Sequence, residues 1–182
     1  MPTYTIADGG HPPRPRLTSS AKLSASADFE AAAADLARVG CALFRARKVA
    51  YVAARRAASR EPVETRYNGK DTHNIAEPGD WIVTNMDADR RLLRDRDGNP
   101  NTYVIPAVTF ATLYDRDTGA TDFGDIFKAK GVVDAVALPG GFDIVAPWGE
   151  RQQAPTGYLV RNGADVSGIP AEAFDKTYER LT

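Results

Sequence analysis

The sequence predicts an α+β fold, mostly antiparallel β, in which two tandem β-rich repeats are each closed by a short C-terminal helix and preceded by one N-terminal helix. Three observations carry this. The stretch "EPGDWIV…YVIPAVTFATLY", Glu77 to Tyr114, returns in shorter form as "APTGYLV…SGIPAEAFDKTY", Ala154 to Tyr178. Short apolar runs bounded by Asn-Gly and Pro-Gly read as strands and tight turns rather than long helices. The 182 residues, 43% apolar, are enough to close a core without staples.

Five segments follow in order. Residues 1–25, rich in Pro, Gly and Ser, read as a flexible leader that holds His11. Residues 26–40 read as a helix: Ser26 can cap it, Asp28 and Glu30 suit its first turn, Gly40 ends it, and Phe29, Ala32, Leu36 and Val39 share one face. Residues 41–115 form repeat 1, with a charged loop inserted at 85–102. Residues 116–126 read as a hydrophilic linker and 127–182 as repeat 2.

Inside the repeats, "FRARKV" from Phe44 parallels "FKAKGV" from Phe127, matching Arg47 to Lys130 as the basic opening strand. Asn68-Gly69 makes a two-residue hairpin turn, because both residues tolerate positive φ; its counterpart turns at Trp148-Gly149. Pro78-Gly79 suits a type II turn, and Pro155-Thr156-Gly157 a type I turn with Gly behind it. Each copy then ends in Ile-Pro-Ala, Pro106 and Pro170 opening a helix. Phe110 with Tyr114, and Phe174 with Tyr178, fall at i, i+4 on the two helices. Pro139-Gly140-Gly141-Phe142 can also be matched to Pro78-Gly79-Asp80-Trp81, so the register of the second copy stays open.

The run Pro78-Gly79-Asp80-Trp81-Ile82-Val83, followed by a Phe-x-x-x-Tyr helix, resembles the small bacterial and phage proteins grouped by a PGDYG or PGDW motif. The resemblance covers Phe44 to Tyr114 and, more loosely, Phe127 to Tyr178. It implies a compact strand-rich unit opening on a basic strand, and carries no activity onto these residues.

Composition limits function. A single Cys41 excludes an internal disulfide and a multi-cysteine zinc site, and suits a reducing, cytoplasmic setting. No apolar run is long enough to span a bilayer as a helix. Net charge −1 argues against bulk capture of nucleic acid, yet nine Lys/Arg stand against Glu61 and Glu64 from Arg38 to Lys70. From Asp71 to Asp125, eleven acids face five arginines. The bland reading is that the two segments pair.

Arg45, Arg47, Lys48 and Arg55, with Arg56 and Arg60 beside them, are therefore the candidate anion ligands, joined by Trp148 at a hairpin tip and by Arg151. Trp81, Phe110 and Tyr114 read first as core. Asp80 and His73 are the candidate acid–base groups, although a carboxylate beside a turn more often accepts backbone N–H bonds. A Cys41–His73 nucleophile pair has nothing in the spacing to support it, and Cys41 reads as an inert buried thiol. Asp115-Arg116-Asp117-Thr118-Gly119 lacks ligands of a calcium loop, so no metal and no cofactor is expected. The expectation is a binding or interaction module for an anionic small molecule or nucleotide in a groove between the repeats, or for a protein partner; the alternative is a small enzyme acting on an anionic substrate with an Asp/His acid–base pair and an arginine clamp, and a third reading is an assembly protein that forms a defined oligomer.

Overall fold

In a computed structural model of the chain, residues 4–8 and 14–182 are described. The described residues are mostly antiparallel β with three short helices. They group into two compact units: unit I is Met1–Arg47 with Val132–Thr182, and unit II is Lys48–Gly131.

Unit II carries β4 (Tyr51–Arg56), β5 (Glu61–Tyr67), β6 (Lys70–Ala76), β7 (Trp81–Asn85), β8 (Thr102–Ile105), α2 (Ala107–Leu113), β9 (Tyr114–Thr121) and β10 (Gly124–Ala129). Its main sheet runs β8-β7-β4-β10-β9, every pair antiparallel, and β5-β6 forms a separate hairpin. Strand alternation divides the burial. Val52, Ala54, Val83 and Phe127 pack with Phe110 of α2, whereas Ile82 packs with Val63 and Ala76 of the hairpin.

Unit I holds β1 (Tyr4–Asp8), β2 (Pro15–Lys22), α1 (Ala25–Arg38), β3 (Phe44–Lys48), β11 (Val132–Leu138), β12 (Phe142–Val145), β13 (Arg151–Ala154), β14 (Gly157–Asn162), β15 (Asp165–Pro170), α3 (Ala171–Thr177) and β16 (Tyr178–Arg180). One sheet runs β15-β14-β11-β3-β16 and a second β1-β2-β12-β13, whose β2–β12 pairing is parallel. Ala46, Val133, Ala135 and Val160 pack with Phe174 of α3. Val136, Leu138, Leu159 and Val166 pack with α1 and the second sheet through Phe29, Leu36, Leu17 and Phe142.

Several expectations are corrected. The leader is not structureless where it is described: β1 and β2 pair antiparallel from Tyr4↔Ser19 to Asp8↔Pro15. Leu17 and Leu23 reach the core, and Tyr4 donates a hydrogen bond to Asp35 at 2.9 Å. Burial first, then that bond, pushes the Tyr4 phenol up to about 12. His11 lies outside the described residues. Ser24, not Ser26, is the N-cap of α1; it offers no side-chain bond, and its N–H donates to the Asp28 carboxylate at 2.6 Å.

The expected linker 116–126 is sheet, β9 and β10 meeting at Asp122-Phe123, because Phe127 is drawn into the aromatic core beside Trp81 and Phe110. The opening run Phe44 to Ala57 is two strands, β3 and β4, broken at Val49-Ala50. Pro106 and Pro170 sit at the N-caps rather than inside the helices, with φ −58° and −55°. Neither helix closes its segment: Tyr114 and Tyr178 are extended C-caps that begin β9 and β16. Asn68-Gly69 turns with φ 52° and 75°, and Gly79 has φ 92°, both as the turn chemistry requires. Gly157 begins β14 instead, where an added Cβ would lie 2.5 Å from the Phe142 ring.

Candidate binding site

Most of the basic residues singled out by the sequence are held by acids or rings. Arg47 bonds Glu179 at 2.7 Å, Arg55 grips Glu61 through two bonds at 2.5 and 3.3 Å, and Arg60 bonds Glu77 at 3.0 Å. Lys48 lies 5.8 Å from the Tyr114 ring and Arg56 5.6 Å from Trp81. Arg45 stands opposite Asp134 in the β3–β11 register, and Asp134 accepts from Arg161 at 2.8 Å. Arg151 binds Asp143 through two bonds at 2.8 and 2.6 Å. That guanidinium holds the Asp143 carboxyl down at about 2, against a desolvation effect of opposite sign, with Gln153 and the charge of Arg16 assisting. Trp148 is 51% exposed, and its Nε1 donates to Glu150 at 3.0 Å.

The acid–base candidates have local roles. Asp80 accepts the Glu77 N–H at 2.9 Å across the Pro78-Gly79 turn, and its own carbonyl accepts from Ala57 N–H. His73 is on the exposed strand β6, 3.4 Å from Glu64. Cys41 packs half-buried against the core of unit I, while His73 belongs to unit II. In the calcium-like stretch, Asp115 is bound by Lys130 at 2.8 Å and Asp117 lies 3.9 Å from Arg90, while Asp125 beyond it faces Arg116 at 3.6 Å. No cluster of three or more metal-ligating side chains is found among the described residues.

Two further cationic groups come from the segment read as flexible. Pro15 begins β2, a position proline tolerates, and the strand docks on the turn Pro139-Gly140-Gly141. Leu17 N–H donates to Gly141 O at 3.1 Å and Gly140 N–H to Pro15 O at 3.0 Å. The approach is close enough that a Cβ at position 140 would sit 2.3 Å from Arg14 O, so only glycine fits. Arg16 donates to Gly140 O at 3.2 Å and faces Ala7 across the β1–β2 register.

These contacts frame an open trough of about 460 Å³ lined by Arg14, Arg16, Ala7, Gly140, Thr156 and the rings of Pro139 and Pro155. Among the described residues, two guanidinium groups and no acid line it. Arg14 has no ion-pair partner among the described residues, and Arg16 spends one N–H of its fork on Gly140. Such a trough can receive an oxyanion by charge and forked hydrogen bonds, with prolines flanking an apolar body. A neighbouring trough of about 670 Å³ on the same unit is lined by Thr18, Ser20 and the Asp143–Arg151 pair, whose charges already satisfy each other.

Sequence reasoning missed Arg14 and Arg16 because Pro and Ser density masks a period-two pattern, in which Pro15 and Leu17 are buried and Arg16 and Thr18 are not. Among the described residues, no helix is long and apolar enough to cross a membrane. No protein-family model, curated protein or solved structure matches the chain.

Proposed function

We propose that the protein is a binding module for an anionic small molecule, assembled from two copies of one β-rich unit, with Arg14 and Arg16 as the anion clamp. The acid-free trough holding both guanidinium groups is the observation that carries this reading.

Two copies are supported by the matching strand orders β8-β7-β4-β10-β9 and β15-β14-β11-β3-β16. Trp81 stacks on Phe110 at 4.2 Å with Tyr114 and Phe127 around them; Tyr158 stacks on Phe174 at 4.1 Å with Tyr178 and Phe44. The ion pairs Asp115–Lys130 and Glu179–Arg47 match as well. Phe44 and Phe127 open their own repeats in sequence, yet each completes the other repeat's aromatic set. The copies thus exchange opening strands, and Arg47 and Lys130 act as rungs between strands rather than as ligands. Among the described residues the β1–β2 arm has no second copy, so the trough occurs once there and ligand binding is a feature added to the repeat.

Isothermal titration of the full chain with inorganic pyrophosphate and with a nucleoside monophosphate tests this. Binding that weakens with salt and is abolished by Arg14→Glu with Arg16→Glu, but not by Arg47→Glu, supports the reading. No binding at millimolar ligand, or binding indifferent to the double reversal, overturns it.

A further inference from the structure

A separate site lies in unit II and does not depend on the anion trough. β12 and β5 occupy the same place in their chains: each follows a strand inside its five-stranded sheet and opens a hairpin. β12 carries an added strand, since β2 pairs with it in parallel through Phe142↔Leu17 and Asp143↔Thr18. β5 pairs only with β6 among the described residues, so its other edge is open. That edge borders a groove of about 440 Å³, lined by the whole run Pro62–Arg66 together with Ile82 and Thr84 of β7, Pro100 and Phe123.

Hairpin geometry fixes what the edge offers. A two-residue turn makes Tyr67↔Lys70 the closing hydrogen-bonded pair, and bonding alternates from there, so 65, 63 and 61 bond inward to β6. Pro62, Glu64 and Arg66 turn their backbone groups outward. Pro62 fits there because it has no N–H to lose. The edge therefore presents the N–H groups of Glu64 and Arg66 and the carbonyls of Pro62, Glu64 and Arg66.

The ends of the groove differ in charge. Arg55 is bonded to Glu61, and Gly124 abuts Ala54 O, so the β9–β10 turn with Asp122 lies at the Pro62 end. Thr65 donates to Thr102 O at 2.8 Å and Asn68 N–H to Asp95 at 3.0 Å, which sets Arg66 and Pro100 at the other end; Asp95 is engaged there by the N–H groups of Asn68, Asp97 and Asn99 and does not line the groove, so Arg66 is the charged side chain lining that end. Asp122 has no ion-pair partner among the described residues, and Arg66 is only loosely held, 3.9 Å from Asp71 with both side chains more than half exposed.

We infer that this groove binds an extended peptide segment of a partner protein, added to β5 as a parallel strand. Parallel addition sets the peptide's N-terminal end beside Asp122 and its C-terminal end beside Arg66. The charges then match a peptide that is basic at its start and acidic at its end.

The test is selection of random decapeptides displayed on phage against the full chain, with binding of the selected synthetic peptides measured by fluorescence anisotropy. The expected peptides carry an acid near the C-terminal end. Glu64→Pro, which removes one edge N–H at an outward position, weakens them at least about tenfold, Glu64→Ala by less than about twofold, and Arg66→Glu selects against the acid. Circular dichroism of each variant checks that the hairpin remains. No selected peptide, or peptides that bind Glu64→Pro as well as the parent, overturns the inference. A homodimer in native mass spectrometry that Glu64→Pro dissolves also overturns it, by naming a second copy as the occupant.

Discussion

Replacing Trp81 by Ala removes the ring that joins sheet and helix in unit II. Trp81 stacks on Phe110 at 4.2 Å and 14°, meets Phe127 edge-on at 5.1 Å, and has the Arg56 guanidinium 5.6 Å from its ring. Full burial of an aromatic ring would put the loss at about 3 to 5 kcal/mol, and Trp81 keeps part of its surface in water, so about 3 kcal/mol is expected. Phe110 is 3% exposed and touches three rings, so Phe110→Ala is expected nearer about 4 kcal/mol. The double variant should fall short of the sum by about 1 kcal/mol, the worth of the stacked pair beyond its buried area. Urea denaturation followed by far-ultraviolet circular dichroism measures all three. An unchanged midpoint for Trp81→Ala, or strict additivity with Phe110→Ala, refutes the packing argument.

Other consequences follow from single contacts. A Cβ on Gly168 would come within 2.4 Å of the Phe142 ring, which is 1% exposed, so Gly168→Ala is expected to destabilise unit I by about 1 to 3 kcal/mol in the same assay. Because Arg151 depresses Asp143 to about 2, this pair's stabilisation is complete above the ordinary carboxyl value of 3.8 and is lost as pH falls toward 2. Carbon-13 titration of the Asp143 carboxyl should show it rising toward 3.8 in Arg151→Ala; no change would remove Arg151 as the cause. The Asp95 carboxylate, though partly desolvated, is lowered by the N–H groups of Asn99, Asn68 and Asp97. Asp95→Ala should therefore open the 86–100 loop to limited proteolysis before the sheets unfold.

Local chemistry was the legible part. Phe29, Ala32 and Leu36 announce one buried helix face, and Asn68-Gly69 and Pro78-Gly79 announce their turns, since each depends on residues a few places apart. The long-range pairings were not legible. Arg47 finds Glu179 and Arg161 finds Glu30 across more than a hundred residues, so counting charges suggests free arginines where the fold supplies acids. Phe44 and Phe127 read as matching strand openers, but nothing local states that β3 joins the sheet of β11 and β14 while β10 joins that of β4 and β7. Tyr114 and Tyr178 fit helical spacing equally well as extended residues just past a short helix. Arg14 and Arg16 escaped notice because the docking of β2 is set by Gly140 and Gly141, far along the chain.

The most direct test of the anion clamp is a nitrogen-15 spectrum of the arginine Nε–H groups, recorded on the full chain as inorganic pyrophosphate is added. Saturable shifts are expected at Arg14 and Arg16, with Arg47, Arg55 and Arg151 unmoved in their ion pairs. Shifts confined to those three, or none at all, would contradict it.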